Sequence, residues 1–203
     1  VRYITNTSTG KLGSEIALEA MGRGAVVTYI YGADSLFPVI HDRSGLKASQ
    51  LKLIEIETNN DLMKVLQEKL KNRKFDAIIH AMAVADYVPA RAKQSKTSSQ
   101  KKEWLVKLVK TPKVINIIRA SWPESFLVGF KLEVNRTKDE IIKISRRFLT
   151  KSKANLIVAN DYKYISRNRH IAYMVTGDRK IPKPLKGKKA IAKNIISYLE
   201  KIL

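Results

Sequence analysis

Apolar and polar positions along this 203-residue chain switch between two periods, about 3.6 and 2, and so divide it into helix and strand segments. Residues 11–23 carry Leu12, Ile16, Leu18 and Met21 at helical spacing, and AVVTYIY (25–31) follows as a strand. LKLIEIE (51–57) is a second strand, after which Asn59 or Asn60 is placed to cap a helix with Leu62, Val65, Leu66 and Leu70 on one face. DAIIHAMAV (76–84) is almost continuously apolar, the pattern of a strand covered on both faces. A polar stretch, residues 89–103, then interrupts the alternation.

Beyond it, WLVKLVK (104–110) reads as a strand, and Pro112 suits the opening of a helix over KVINIIRA (113–120). FLVGFKL (126–132) is a strand, Thr137 caps a helix bearing Ile141, Ile144 and Phe148, and ANLIVAND (154–161) and HIAYMVT (170–176) are strands. A helix with Ile191, Ile195 and Leu199 closes the chain. Repeated βα units predict an α/β fold with a doubly wound, mostly parallel sheet, helices on both faces and ligands at the carboxyl ends of the strands. No repeat or linker divides residues 1–203, so one domain is expected. Residues 89–103 are long for a βα connection and read as an active-site flap.

Composition narrows the class. The chain is 44% hydrophobic and 28% charged, as globular domains are, and has no run of about 18 apolar residues to span a bilayer. It shows no secretory leader pattern, so a cytoplasmic location is the expectation. Without cysteine, disulfides, thiolate metal sites and thiol nucleophiles are excluded. The net charge of +21 is lopsided: residues 1–90 carry 11 Lys/Arg against 10 Asp/Glu, residues 91–203 carry 28 against 8. That surplus draws anions and permits nonspecific nucleic-acid binding, but no recognised nucleic-acid motif accompanies it. Most of it reads as a solvated Lys-rich surface, with a minority of these side chains holding phosphates.

Two segments carry candidate chemistry. The loop Asn6-Thr7-Ser8-Thr9-Gly10-Lys11-Leu12-Gly13 runs into a helix, whose free first-turn amides, together with hydroxyls, make an anion site. Gly10 and Gly13 would let a phosphate reach the backbone, although the loop matches neither the P-loop nor the dinucleotide fingerprint. An ordinary Ser/Thr cap with a glycine is the plainer alternative. Asp86, after Ala81, Met82, Ala83, Val84 and Ala85, ends a buried strand in small residues that leave room for a planar ring. Its carboxylate could accept from an exocyclic amine, bind a metal, or serve a turn. Lys96 in the flap could cover a phosphate, and Phe130 could pack on a base or in the core. His41, His80 and His170 show no metal-ligand spacing, and no protein nucleophile is evident.

VRYITNTSTGKLG (1–13), AVADY (83–87), KTSS (96–99), KTP (110–112), VGF (128–130) and KSKANLIVAND (151–161) occur in the order found in phosphopantothenate–cysteine ligases, also called phosphopantothenoylcysteine synthetases. The chain resembles that family over essentially its whole length, and most of all the separate CTP-dependent bacterial form. The resemblance implies a Rossmann-like fold and a homodimer. It also implies Mg²⁺ with CTP as co-substrate, ATP being the alternative nucleotide, and joining of 4′-phosphopantothenate to L-cysteine through an acyl-cytidylate.

Carried over by motif, Asn6 contacts the phosphopantothenoyl group and stabilises the acyl-cytidylate, helped by Arg2, and Ala83 lies against the pantothenate moiety. Ser8 and Gly10 face phosphate. His80, Ala81 and Met82 line the base pocket, Asp86 reads the base amine, and Lys96 neutralises phosphate charge. Pro112, Lys113, Val114, Ile115, Phe130, Arg147 and Lys151 complete the nucleotide site, Arg147 standing where the family more usually has lysine. The family's first strand, of the type ILITSGGT, is expected before the first motif and is absent from these residues. Two readings compete with a ligase: a nonenzymatic basic nucleic-acid-binding domain, and a nicotinamide-dependent reductase, against which the missing dinucleotide fingerprint argues.

Overall fold

Polar side chains cap two of the helices where the apolar periodicity begins. In the computed structural model, which describes residues 4–41, 45–91, 95, 102–165, 169–178 and 180–203, Thr58 caps α2 (Asn59–Lys64) and Thr137 caps α4 (Lys138–Ser152). Each forms a reciprocal capping box, with Asp61 and Glu140 respectively. The cap of α2 is thus Thr58 rather than Asn59 or Asn60, because a hydroxyl paired with an acid three residues on satisfies two orphan amides at once. The helix continues as a π-helical turn, Val65–Lys69, that keeps Val65, Leu66 and Leu70 buried.

Among the described residues, nine strands fall into three groups. β1 (Val27–Gly32) and β2 (Leu51–Ile56) form a parallel pair. β3 (Ala77–His80), β6 (Phe126–Glu133), β7 (Leu156–Asp161), β8 (Ile171–Val175) and β9 (Pro184–Lys186) form a five-stranded sheet in the order β3-β6-β7-β8-β9. Its first three strands are parallel and its last two antiparallel. β4 (Tyr87–Pro89) and β5 (Leu108–Lys110) make a short antiparallel ribbon at the base of the 89–103 excursion. Of the strand expected over 104–110 only the last three residues are extended, as β5, while β4, which contains Pro89, was not anticipated.

Alternation along β6 and β7 sends Leu127, Ile157 and Ala159 to one face and Val128, Leu156 and Val158 to the other. The first face is covered by α2, α3 (Val114–Ser121) and α4, the second by α1 (Lys11–Gly22) and α5 (Lys188–Leu199). The doubly wound α/β expectation is met. Gly129 lies between these layers, where an added Cβ would stand 2.7 Å from Ile115 Cδ1 and 2.9 Å from Ile157 Cδ1.

Among the described residues, β1 pairs only with β2 and β3 only with β6. Every residue of β1 and β3 lines one continuous cavity of about 4170 Å³, with apolar walls from Ile16 and Ala20 of α1 and from Leu62, Leu66 and Ile118. The volume is several times that of a small-molecule pocket, roughly 300–1,000 Å³. The cavity is therefore a cleft between two strand edges. No described helix is long and apolar enough to cross a membrane.

Candidate functional site

The parallel strands β1, β3, β6 and β7 all end at one rim of the molecule, and the two motif loops meet there. Asn6 Nδ2 donates to the Ala83 carbonyl at 2.8 Å. The segment after β3 leaves extended structure at His80, since Ala81–Ala85 carry no ladder bonds, and side chains from three other segments fix its carbonyls instead. Asn6 holds Ala83, while Asn59 Nδ2 and Thr111 Oγ1 both donate to the Ala85 carbonyl, at 3.2 and 2.7 Å. The Thr111 amide donates to the Asp86 carbonyl. The strand predicted over residues 76–84 is thus a four-residue strand followed by a tethered loop.

At the start of α1, Gly10 adopts a left-handed conformation with φ +73° and brings no side-chain cap of its own, so that among the described residues only the Thr9 hydroxyl, 3.4 Å from the Lys11 amide, reaches the first turn. First-turn amides have no intrahelical acceptor, so this end of α1 presents positive polarity to the rim. The Cβ-free sides of both loop glycines are filled by the protein itself. A Cβ on Gly10 would lie 2.6 Å from the Leu36 carbonyl oxygen, and one on Gly13 would lie 2.9 Å from the Tyr29 hydroxyl. Close packing of the chain on itself, which the sequence had suggested as space for phosphate, is what requires glycine here.

Nine of the sequence-selected residues line the cavity: Asn6, Ser8, Gly10, His80, Ala81, Met82, Ala83, Val114 and Phe130. Val114 and Ile115 are buried, and both side chains belong to the core under α3. Asp86, Lys113 and Pro112 stand exposed at the rim outside the cavity lining, with Lys113 Nζ donating to Asp86 Oδ1 at 2.6 Å. The Asp86 carboxylate is therefore already paired, and Lys113 serves as the N-cap residue of α3. Pro112 precedes that cap rather than opening the first turn.

Arg147 and Lys151 are not brought to this rim. Both are exposed on α4, which starts at the carboxyl end of β6 and runs back toward the amino ends of the strands. At about 1.5 Å per residue, their positions fall roughly 14 and 20 Å along the helix from its start. Arg2, Lys96 and most of the proposed flap lie outside the described residues.

Burial pushes the His80 imidazole down to about 4, so it is neutral near pH 7 and offers the cavity one donor and one acceptor. His170 is lowered to about 4 as well, by burial first and by Lys188 second. Its Nε2 lies 3.3 Å from Asn160 Nδ2 at the end of β7, and both residues line the cavity. Asp161 accepts from the Asn135, Arg136 and Lys163 amides, so the last residue of the ANLIVAND motif fixes the turn leading into α4. Neither Asp161 nor Thr111 had been singled out from the sequence, although both lie inside motifs that had been, and Asn59 had been read only as a helix cap. No group of three or more His, Cys, Asp or Glu suited to holding a metal occurs among the described residues.

Parallel strands ending in a shared rim, a helix start and a tethered loop opposite it define a Rossmann-like α/β domain with an open carboxyl-end crevice. Residues 1–203 match the model of the DNA/pantothenate metabolism flavoprotein C-terminal domain, and the chain belongs to that family. It is 31% identical to the coenzyme A biosynthesis bifunctional protein CoaBC of Thermococcus kodakarensis, over 100% of this chain and 48% of that protein. The chain thus spans about half the length of the curated relatives it matches. The crystal structure of the DNA/pantothenate metabolism flavoprotein from Streptococcus pneumoniae superposes with a TM-score of 0.85 at 31% identity, covering 100% of this chain and 93% of that one. The crystal structure of the C-terminal domain of a coenzyme A biosynthesis bifunctional protein CoaBC gives a TM-score of 0.75 at 26% identity, covering 100% and 87%. The resemblance read from the motifs is borne out.

Proposed function

We propose that this domain is a phosphopantothenate–cysteine ligase, joining 4′-phosphopantothenate to L-cysteine at the expense of CTP. The Asn6–Ala83 hydrogen bond carries the reading, because it sets the start of α1 beside the loop that follows β3. The pantothenate carboxylate attacks the α-phosphorus of CTP, forming the acyl-cytidylate and releasing pyrophosphate. The cysteine amine then attacks the acyl carbon, CMP leaves, and the amine loses a proton. Neither step requires a protein nucleophile, so catalysis rests on positioning and on stabilising phosphate charge.

In this reading the α1 amides and Ser8 receive phosphate, and His80, Ala81 and Met82 face the base. Phe130 packs near it, and Asn6 orients the acyl group against Ala83. Asp86 exchanges its Lys113 partner for the base amine, a rearrangement favoured by cytosine and adenine alike. Mg²⁺ would enter with the triphosphate and would neutralise part of its charge. Arg2 and Lys96 keep their proposed charge-neutralising roles.

The edges of β1 and β3, both without a second partner among the described residues and both lining the cleft, support a further parallel strand between them. Homodimerisation is supported by the β4–β5 ribbon, which exposes Tyr87, Leu108 and Val109 beside Trp104 and Leu105. The deciding experiment supplies 4′-phosphopantothenate, Mg²⁺ and either CTP or ATP, with and without cysteine, and follows pyrophosphate and product mass. Cysteine-dependent phosphopantothenoylcysteine with CTP preferred supports the proposal. Absence of turnover from folded protein in which a strand fills the β1–β3 cleft rejects it.

A further inference from the structure

We infer that Tyr29, a residue of β1 outside the motif loops, is a positioning residue that sets the height of the Asn6–Gly13 loop and dictates glycine at position 13. The nucleotide-binding part of this inference rests on the ligase reading above. The Tyr29 hydroxyl lies 3.3 Å from the Leu36 carbonyl oxygen and 3.5 Å from the Gly10 carbonyl oxygen, sharing its one proton between the two. Leu36 completes the clamp, its amide donating to the Thr9 carbonyl at 3.0 Å. Two loops, one before α1 and one after β1, are therefore joined through one phenol and one peptide unit.

The clamp is braced from behind. Tyr29 and Tyr31 project from the same face of β1 with ring centroids 6.2 Å apart, and Tyr31 meets Phe37 at 4.9 Å. The Tyr31 hydroxyl donates to Glu55 on β2 at 3.0 Å, so the row of rings that supports residues 35–37 is tied to the parallel pair. Burial raises the Tyr29 phenol to about 12, and it stays a protonated donor throughout the physiological range.

The same hydroxyl explains Gly13. A Cβ there would meet the Tyr29 oxygen at 2.9 Å, while the next atoms, Tyr29 Cε2 and Cζ, lie at 3.7 Å, an ordinary contact. The steric conflict of a Gly13 substitution resides in one oxygen atom. Phenylalanine at position 29 keeps the ring and its stacking, loses the clamp proton and frees that space.

The test compares Tyr29→Phe, Gly13→Ala and the double variant by KM for CTP, kcat and amide hydrogen exchange. Gly13→Ala is expected to raise the KM for CTP at least about tenfold with a smaller change in kcat, as overpacking lifts the α1 amides. Adding Tyr29→Phe should return KM to within about threefold of Tyr29→Phe alone. Tyr29→Phe alone should speed exchange at the Leu36 amide and the first turn of α1, while Val128 and Val158 in the central sheet remain unchanged. A double variant no better than Gly13→Ala overturns the inference, as does an unchanged Leu36 exchange rate. If wild-type protein binds no CTP the ligase reading fails, and the exchange measurement still decides the clamp. If Gly13→Ala does not fold, recovery of folding in the double variant supports the same contact, and failure to recover opposes it.

Discussion

The side-chain amide of Asn6 and the carbonyl oxygen of Ala83, 77 positions apart in the chain, are joined at 2.8 Å. The bond lies at the exposed rim of the crevice, so its stabilising effect is small, about 1 kcal/mol, while its geometric effect falls on both motif loops. Asn6→Asp replaces the donor with a carboxylate facing a carbonyl. Product formation is expected to fall at least about tenfold, equivalent to ~1.4 kcal/mol, with the melting temperature shifted by less than about 3 °C. Wild-type turnover in Asn6→Asp would remove the assignment.

The Lys113–Asp86 pair is half exposed, with side-chain accessibilities of 49% and 57%, and pairs of this kind contribute under ~1 kcal/mol. Asp86→Asn should leave thermal stability nearly unchanged and raise the KM for CTP and for ATP alike. Side-by-side kinetics with the two nucleotides check this, and unchanged KM values mean that Asp86 does not read the base amine.

Gly129 lies between Ile115 and Ile157, both almost wholly buried. Gly129→Ala should destabilise by about 1–3 kcal/mol through overpacking. Urea denaturation gives the value directly, and a loss under a few tenths would show that the two isoleucines move aside freely.

Burial lowers His80 and His170 to about 4, against ~6.5 in an unfolded chain. Between these values the unfolded state binds more protons, so stability is complete above ~6.5 and declines as pH falls toward 4. Each histidine can contribute up to ~3 kcal/mol to that loss. Denaturation midpoints at pH 7 and pH 5 should differ, and the difference should shrink in His170→Asn, which cannot take up a proton.

Most of the framework was legible in the sequence because burial on two faces leaves unmistakable apolar runs. The strands expected over 126–132 and 154–161 match β6 and β7 to within two residues, α1 matches its periodic segment to within one, and α5 carries the three apolar positions expected of the last helix. The tethered loop after His80 was misread as strand because Met82 and Val84 do pack on the core, while the intervening Ala83 and Ala85 carbonyls accept from side chains instead of a neighbouring strand. Tyr29 was invisible as a site residue, since an aromatic in a strand reads as packing and its hydroxyl partners are carbonyls. Arg147 and Lys151 were drawn to the site by motif order, which carries no information about the direction in which a crossover helix runs.

The edges of β1 and β3, unpaired among the described residues, also bear on how this domain would behave as a solute if no strand covered them. Each then presents a row of amides and carbonyls, a template that a strand from a neighbouring molecule can extend. With a net charge of +21, mutual repulsion opposes such contacts at low ionic strength. Added salt shortens the reach of that repulsion to about 10 Å at 0.1 M and leaves the hydrogen-bonding edges untouched. With both edges open, salt is expected to promote edge-to-edge association, and with a strand seated between them it is not.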